Sequence, residues 1–311
     1  MRKSIVFIFL AAVALSVMFA LSGCAVKRAI KYSDLKSYSV GNAEFTEKIE
    51  DIEIDWLGGS VNIVSHSGNT LLLSEKAKDG VSDDFKVHWW LDDTTLHIKF
   101  AKSGINLWKL RNGQKDLTLS VPENMSFNGI AIRCASAKVS TSDLLAETLS
   151  ISTASGDANI NCAANKIKLK SVSGNITLAH KNQAHEIEME SASGEINADL
   201  NNADEVDIES VSGKININAD SIEDFSAEST SGNIFCKLNV TPRESEISAT
   251  SGKVTLILPE NPDFTAKIST VSGDFESDFA LKKKGEIFVC GNGMGEIEIE
   301  TASGDIFIGK N

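Results

Sequence analysis

The chain has 311 residues, 42% of them hydrophobic and 23% charged, a folded composition that excludes the disordered class. Its 43 acidic against 30 basic residues give a formal net charge of -13, which excludes a nucleic-acid partner, because phosphate binding needs basic surface. Four prolines and 22 glycines exclude collagen-like and proline-rich classes.

Residues 1–23 read as an export signal. Met1-Arg2-Lys3-Ser4 is a short basic start, Ile5 to Ala20 is apolar, and Leu21-Ser22-Gly23-Cys24 follows. Basic, apolar and small-residue regions in that order are the secretory pattern. The ending resembles the bacterial lipobox, which implies diacylglyceryl attachment at Cys24 and cleavage before it. The apolar run is short for a spanning helix, and two or three acyl chains anchor stably where one is marginal. Residues 24–48 carry no strong period and read as a lipid-anchored tether with one edge strand as an option. Residues 49–128 read as an N-terminal β-rich cap with a first coil, IEDIEIDWLGGSVNIV over 49–64, bent at Gly59. Trp89, Trp90 and Trp108 fall in this stretch; Trp89 and Trp90 are expected in the core of the cap, with a carbohydrate or membrane contact as the alternative.

Residues 129–311 hold internal repeats. STASGD, KSVSGN, ESASGE, ESVSGK, ESTSGN, SATSGK, STVSGD and ETASGD place glycines at Gly156, Gly174, Gly194, Gly213, Gly232, Gly252, Gly273 and Gly304. Successive glycines stand 18 to 21 residues apart except the last, which is 31 further on. Ala137 occupies the glycine place one coil earlier. Apolar residues alternate on both sides of each glycine, as in Ile167, Leu169, Ile176 and Leu178, so each coil is two strands with one buried face. One coil cannot bury that face alone, but stacked coils can. The expected fold is therefore all-β, a single-chain β-solenoid of about 19-residue coils with a C-terminal cap. The glycines are expected to supply a backbone angle that side chains resist. Ser155, Ser173, Ser193, Ser212, Ser231, Ser251 and Ser272 are expected to stack as a hydroxyl ladder. A second echo, Leu117-Thr118-Leu119-Ser120-Val121-Pro122-Glu123-Asn124 against Val254-Thr255-Leu256-Ile257-Leu258-Pro259-Glu260-Asn261, leads in each copy to a phenylalanine, Phe127 or Phe264.

These repeats resemble a bacterial putative-adhesin family: exported β-strand-repeat proteins with a recurrent S-x-S-G-[D/N/K] motif and unknown function. The likeness covers roughly residues 50–311. It implies a right-handed β-solenoid on the cell envelope, with some members tied to envelope-stress responses. It supplies no catalytic residues.

Aligned coils place three positions before each glycine toward solvent. Glu186, Glu188, Glu190, Glu205, Asp207, Glu209, Asp224, Glu228, Glu244 and Glu246 then form a field of ten carboxylates, beside a row of Lys166, Lys168 and Lys170. Such a field suits divalent cations, whose oxygen ligands it offers loosely, or cationic peptides. Its alternative is a solvated face that keeps an exported protein soluble. The other strand face, after each glycine, carries Asn159, Asn161, Asn175, Asn197, Asn216 and Asn218, which suit side-chain ladders or glycan contacts. Gly291-Asn292-Gly293-Met294-Gly295 lacks the following helix that a phosphate loop needs. His180 and His185 read as exposed residues of a connecting loop. Cys134, Cys162, Cys236 and Cys290 lack metal or disulfide spacing and read as small buried residues. No metal centre and no cofactor is expected.

The expected function is a non-enzymatic, lipid-anchored envelope protein that presents a repeat surface for binding or adhesion. Its partners are the membrane through its anchor, and an envelope protein, a polymer or a cationic peptide. The alternatives are a polysaccharide-cleaving β-helix enzyme, which needs a groove with an opposed acid pair, and a self-assembling scaffold.

Overall fold

The computed structural model describes residues 32, 38–77, 81–105 and 114–311. The lipobox at Cys24 and Trp108 lie outside them. The described chain divides into two compact units, one through Gly174 and one from Asn175 onward. Both are built from strands, and among the described residues no helix is long and apolar enough to cross a membrane.

The first unit contains β1 (Ser39–Val40), β2 (Ala43–Phe45), β3 (Asp51–Trp56), β4 (Gly59–His66), β5 (Leu71–Lys76), β6 (His88–Asp92), β7 (Thr95–Lys99), β8 (Lys115–Pro122), β9 (Ser126–Cys134), β10 (Lys138–Thr141), β11 (Leu144–Thr153) and β12 (Ala158–Ser171). One wall is a parallel run of β7, β3, β9, β11 and the second half of β12. A second wall runs β8, β4, β10 and the start of β12, also parallel. Register stacks like on like: Leu96, Ile52, Ile130, Leu149 and Ile167 form one column across five strands, and all are buried. Each such side chain contributes about 1.5–3 kcal/mol by leaving water. The outer edges of β7 and β8 are covered by antiparallel β6 and β5, and these in turn by β1 and β2.

The second unit contains β13 (Ile176–Ser191), β14 (Ile196–Ser210), β15 (Ile215–Ser229), β16 (Ile234–Leu238), β17 (Glu244–Ala249), β18 (Val254–Leu258), β19 (Phe264–Thr270), β20 (Phe275–Ser277), β21 (Lys282–Lys284), β22 (Ile287–Cys290), β23 (Gly295–Thr301) and β24 (Ile306–Lys310). Its coils stack in parallel register. Met189, Ile208, Ala227, Ile247, Ile299 and Ile268 make one column, buried until it reaches the half-buried Ile268 of the last coil.

Chain order and coil order differ in both units. In the first, the coil of β7 and β8 lies outside the coil of β3 and β4, which precedes it in the chain. In the second, the coil of β23 and β24 is inserted between β17/β18 and the outermost coil of β19 and β20. The chain therefore jumps over one coil after β8 and again after β18. Both jumps are made by the Pro-Glu-Asn segments of the second echo. Each crossing segment bonds to both ends of the coil that it skips. The Glu123 amide donates to the His66 carbonyl at 3.1 Å and the Asn128 amide to Glu50 at 2.8 Å. At the other jump, the Gly295 amide donates to Asp263 at 3.1 Å and the Asn311 amide to Leu258 at 2.8 Å. The 31-residue step before Gly304 is this excursion.

The repeat glycines serve close approach, not an unusual backbone angle. None of the eight has positive φ. A β-carbon on Gly232 would overlap the Gly213 carbonyl oxygen, and the same holds for Gly213 on Gly194, Gly252 on Gly232, Gly304 on Gly252 and Gly273 on Gly304. In three coils the serine before the glycine bonds to backbone and not to another serine. The hydroxyls of Ser155, Ser173 and Ser212 donate to the carbonyls of Ala135, Ala154 and Ala192 in the preceding coil, at 3.1–3.4 Å. Three positions before glycine the side chain turns inward and closes the bend: the Gly232 amide donates to Ser229 Oγ at 2.8 Å and the Gly156 amide to Thr153 Oγ1 at 2.9 Å.

Candidate functional site

The ten predicted carboxylates stand on β13, β14, β15 and β17, on the outward positions between buried Ile187, Met189 and their equivalents. Parallel register brings them together as three rows. Glu186, Glu205, Asp224 and Glu244 are successive partners, and so are Glu190, Glu209 and Glu228. The middle row runs Glu188, Asp207, Ser226 and Glu246. Neighbouring coils lie about 4.8 Å apart.

The field is larger than the sequence reading made it. Because β23 is inserted beside β17, Glu296, Glu298 and Glu300 pair with Glu244, Glu246 and Ser248 and extend all three rows to a fifth coil. The field then ends against Lys267 of β19, which forms an ion pair with Glu298. Arg243 forms a second exposed pair with Asp224. Within the field, Glu228 is held above the ordinary carboxyl range, first by burial and then by Glu246 and Asp207. Lys166, Lys168 and Lys170 lie on β12, in the first unit, opposite Thr148, Ser150 and Ser152. Among the described residues no group of three or more His, Cys, Asp or Glu side chains is gathered as a metal site.

The asparagine face does form ladders. Asn216 Nδ2 donates to Asn197 Oδ1 at 2.9 Å, Asn218 to Asp199 at 2.8 Å, and Asn239 to Asp220 at 2.8 Å. His180 is buried and lies within β13, not in a connecting loop. His185 is also on β13, with Nδ1 2.9 Å from Asp204.

The glycine-rich loop at 291–295 is filled from within. The Asp263 carboxylate accepts from the Met294 amide at 2.9 Å and from Asn292 Nδ2 at 2.9 Å, and these bonds hold its carboxyl below the usual range. Its donors serve a carboxylate of the chain, so no phosphate cradle exists there.

Trp89 and Trp90 are half-buried on β6 and do not lie in the core. Trp89 Nε1 donates to the Gly41 carbonyl at 3.0 Å, and its ring meets Phe45 edge-on. Trp90 stacks between His97, at 4.7 Å, and Tyr32, at 5.5 Å. Sequence reasoning missed Lys115, the buried hub of this region. Its ammonium forms an ion pair with Glu75, donates to the carbonyls of Phe85 and Phe100, and lies 4.9 Å from the Trp56 ring centroid. Burial lowers its pKa to about 8 against the opposing pull of Glu75. Cys134, Cys162 and Cys236 are buried and their thiols are pushed up by burial, that of Cys162 to about 12. Cys290 is partly exposed.

Against known proteins, a family model described as Toastrack DUF4097 matches residues 49–309. No curated protein matches the chain. Similar crystal structures include a "putative adhesin" from Bacteroides fragilis, at 14% identity over 89% of this chain and 98% of that one, with a TM-score of 0.39. A "putative lipid binding protein" from Parabacteroides distasonis gives 15% identity over 89% and 97%, with a TM-score of 0.39. A "putative adhesin" from Parabacteroides merdae gives 12% identity over 89% and 97%, with a TM-score of 0.41. At these scores the likenesses carry no functional argument.

Proposed function

The chain belongs to the Toastrack DUF4097 family, a domain of unknown function, and on that premise we propose that it is a non-enzymatic lipoprotein of the bacterial cell envelope whose acidic face binds a cationic partner. The observation that carries this reading is the field of thirteen carboxylates, from Glu186 to Glu300, in register across five coils and interrupted only at Ser226 and Ser248. Side chains about 4.8 Å apart are closer than the Debye length of about 8 Å at physiological salt. Their repulsion therefore persists in solution, and a ligand that brings several positive charges at strand spacing relieves it. A cationic antimicrobial peptide has that chemistry, and capturing one before it reaches the membrane would give the protein a place in an envelope-stress response. Divalent cations bridging neighbouring rows are the second ligand class.

The export signal and the lipobox at Cys24 support the location, on the sequence alone; the tether ends short of residue 48, because Ser39–Val40 and Ala43–Phe45 are strands paired with β6 and β5. A hydrolytic role is disfavoured by the arrangement of the acids. A glycosidase sets two carboxyls across a groove, whereas these lie side by side along outward strand positions.

The test is calorimetry on the chain from Ala25 onward with calcium and with a cationic antimicrobial peptide, at low and physiological salt. Saturable binding that survives physiological salt and is lost when Glu188, Asp207 and Glu228 become Gln, Asn and Gln supports the proposal. Unchanged binding in that variant rejects it. Incorporation of labelled fatty acid into wild type but not into Cys24→Ala tests the anchor.

A further inference from the structure

The last coil of the second unit is covered over only half its edge. Antiparallel β22 pairs with the outer side of β19 from Phe264 to Lys267 and then departs, so among the described residues Ile268, Ser269 and Thr270 have a strand, β23, on their inner side only. Beyond the bend, β20 pairs with β24 on one side only. Inside the stack, each bend carbonyl receives an amide of the next coil, as when the Val211 amide donates to Ser191 at 3.1 Å. Among the described residues no amide reaches the Thr270 carbonyl. Val271, on that bend, is 85% exposed.

A cleft of about 550 Å³ opens at this exposed edge, within the range of about 300–1,000 Å³ of ligand sites. Its walls are the free half of β19, Phe275 of β20, and Lys283, Glu286 and Phe288 of the hairpin. Phe275 and Phe288 pack at 5.1 Å, and the Lys283 ammonium lies 5.5 Å from the Phe288 centroid. Lys282, Lys283 and Lys284 are exposed together on β21, and this is the one run of three consecutive basic residues in a chain of net charge -13. An open strand edge, an aromatic floor and a lysine rim in one place meet the needs of strand addition, in which backbone bonds give affinity and side-chain pockets give selectivity.

We infer that this edge is a docking site for an extended, acidic segment of a partner protein, which adds a strand beside Ile268–Thr270, places an apolar side chain on Phe275 and Phe288, and sets its carboxylates against Lys283 and its neighbours. The site adjoins the end of the acidic face at Lys267, which lines the cleft and pairs with Glu298. It selects an acidic partner where that face selects a cationic one, so one molecule has two unlike surfaces.

The probe is a fluorescein-labelled heptapeptide of alternating valine and glutamate with a central phenylalanine, titrated against the full chain in mild detergent by fluorescence polarisation. The expected result is saturable binding, weakened at least tenfold by Lys283→Glu and by Phe288→Ala, and abolished when alternate peptide nitrogens are methylated. The methylated peptide leaves the protein untouched, so its failure cannot come from a misfolded variant. Equal binding of the methylated peptide, or no binding of the parent peptide, overturns the inference. Light scattering that shows a dimer dispersed by Lys283→Glu also overturns it, because a second copy then occupies the edge.

Discussion

Gly304 lies directly against Gly252, so that a β-carbon on Gly304 would overlap the Gly252 carbonyl oxygen, although Gly273 is the next repeat glycine along the chain. Gly273 in turn lies against Gly304. The glycine row thus records the stacking order of the coils. From Gly213 to Gly304 each bend sits so close to its neighbour that only a hydrogen atom fits, whereas Ala137 holds the same place at the start of the row.

The cost of filling that space should be large. Gly232→Ala places a methyl group into the Gly213 carbonyl and is expected to destabilise by at least about 3 kcal/mol. Gly285→Ala is a contrasting case in the same unit. Gly285 has φ +65 with nothing nearby, so its cost is the left-handed penalty of about 1–2 kcal/mol. Urea unfolding of both variants gives the comparison. Equal costs would mean that the row is not set by close approach.

Coil order can be tested by crosslinking. Ser248 and Glu300 are register partners, and parallel neighbours about 4.8 Å apart fall within disulfide reach. Ser269 lies one coil further on, beside Glu300, about 9.6 Å from Ser248 and out of reach. Ser248→Cys with Glu300→Cys should therefore oxidise to a crosslink, and Ser248→Cys with Ser269→Cys should not. Mass spectrometry of the tryptic fragments distinguishes the two. The reverse pattern would mean that coils stack in chain order.

Those two tests mark what the residues alone revealed. The alternation of Ile187, Met189 and Ser191 states a buried strand face, and its recurrence states a stack, because every coil solves the same burial problem. Which coil neighbours which is not written there, since any two coils with the same period fit together. Glu296, Glu298 and Glu300 were legible as a strand but not as part of the acidic field, whose membership depends on insertion beside β17. The Pro122 and Pro259 segments were legible as an echo. Their shared task, crossing a skipped coil while bonding to both its ends, needs the other strands in place. Lys115 stood outside any repeat, so no pattern pointed to its burial.

The Lys115 site gives a stability signature of unusual sign. Its folded pKa of about 8 lies below its ordinary value of 10.5. Below about pH 8 the ammonium is charged in both states and its burial cost is present. Between about pH 8 and 10.5 the unfolded chain holds the extra proton, so stability rises with pH, by an amount on the order of 1–3 kcal/mol. Lys115→Met alone strands Glu75 and should cost about 3–5 kcal/mol. Lys115→Met with Glu75→Leu should recover most of that loss and remove the alkaline rise. Denaturant midpoints at pH ~7.5 and pH ~10 report both effects. A rise that persists in the double variant would assign it to another group.

Glu228 runs the opposite way. Its carboxyl is held above the ordinary value by burial, then by Glu246 and Asp207. Below that ordinary value of 4.5 it is protonated in both states and costs nothing. As pH climbs past it, the unfolded chain ionises first, so stability falls until the folded carboxyl has ionised too, and the loss persists at neutral pH. Glu228→Gln should therefore be more stable than the parent at pH ~7, by about 0.5–1 kcal/mol, and equal to it at pH ~3.5. Ser248→Glu should do the reverse, because Ser248 is the register partner of Glu228 and a carboxylate there adds a like charge. A cationic peptide on this face should offset both terms, so the gain from Glu228→Gln should shrink when the peptide is bound. Urea midpoints with and without peptide measure that coupling. A gain that the peptide leaves unchanged would separate the repulsion at Glu228 from ligand binding, and would return the acidic face to a role in solubility alone.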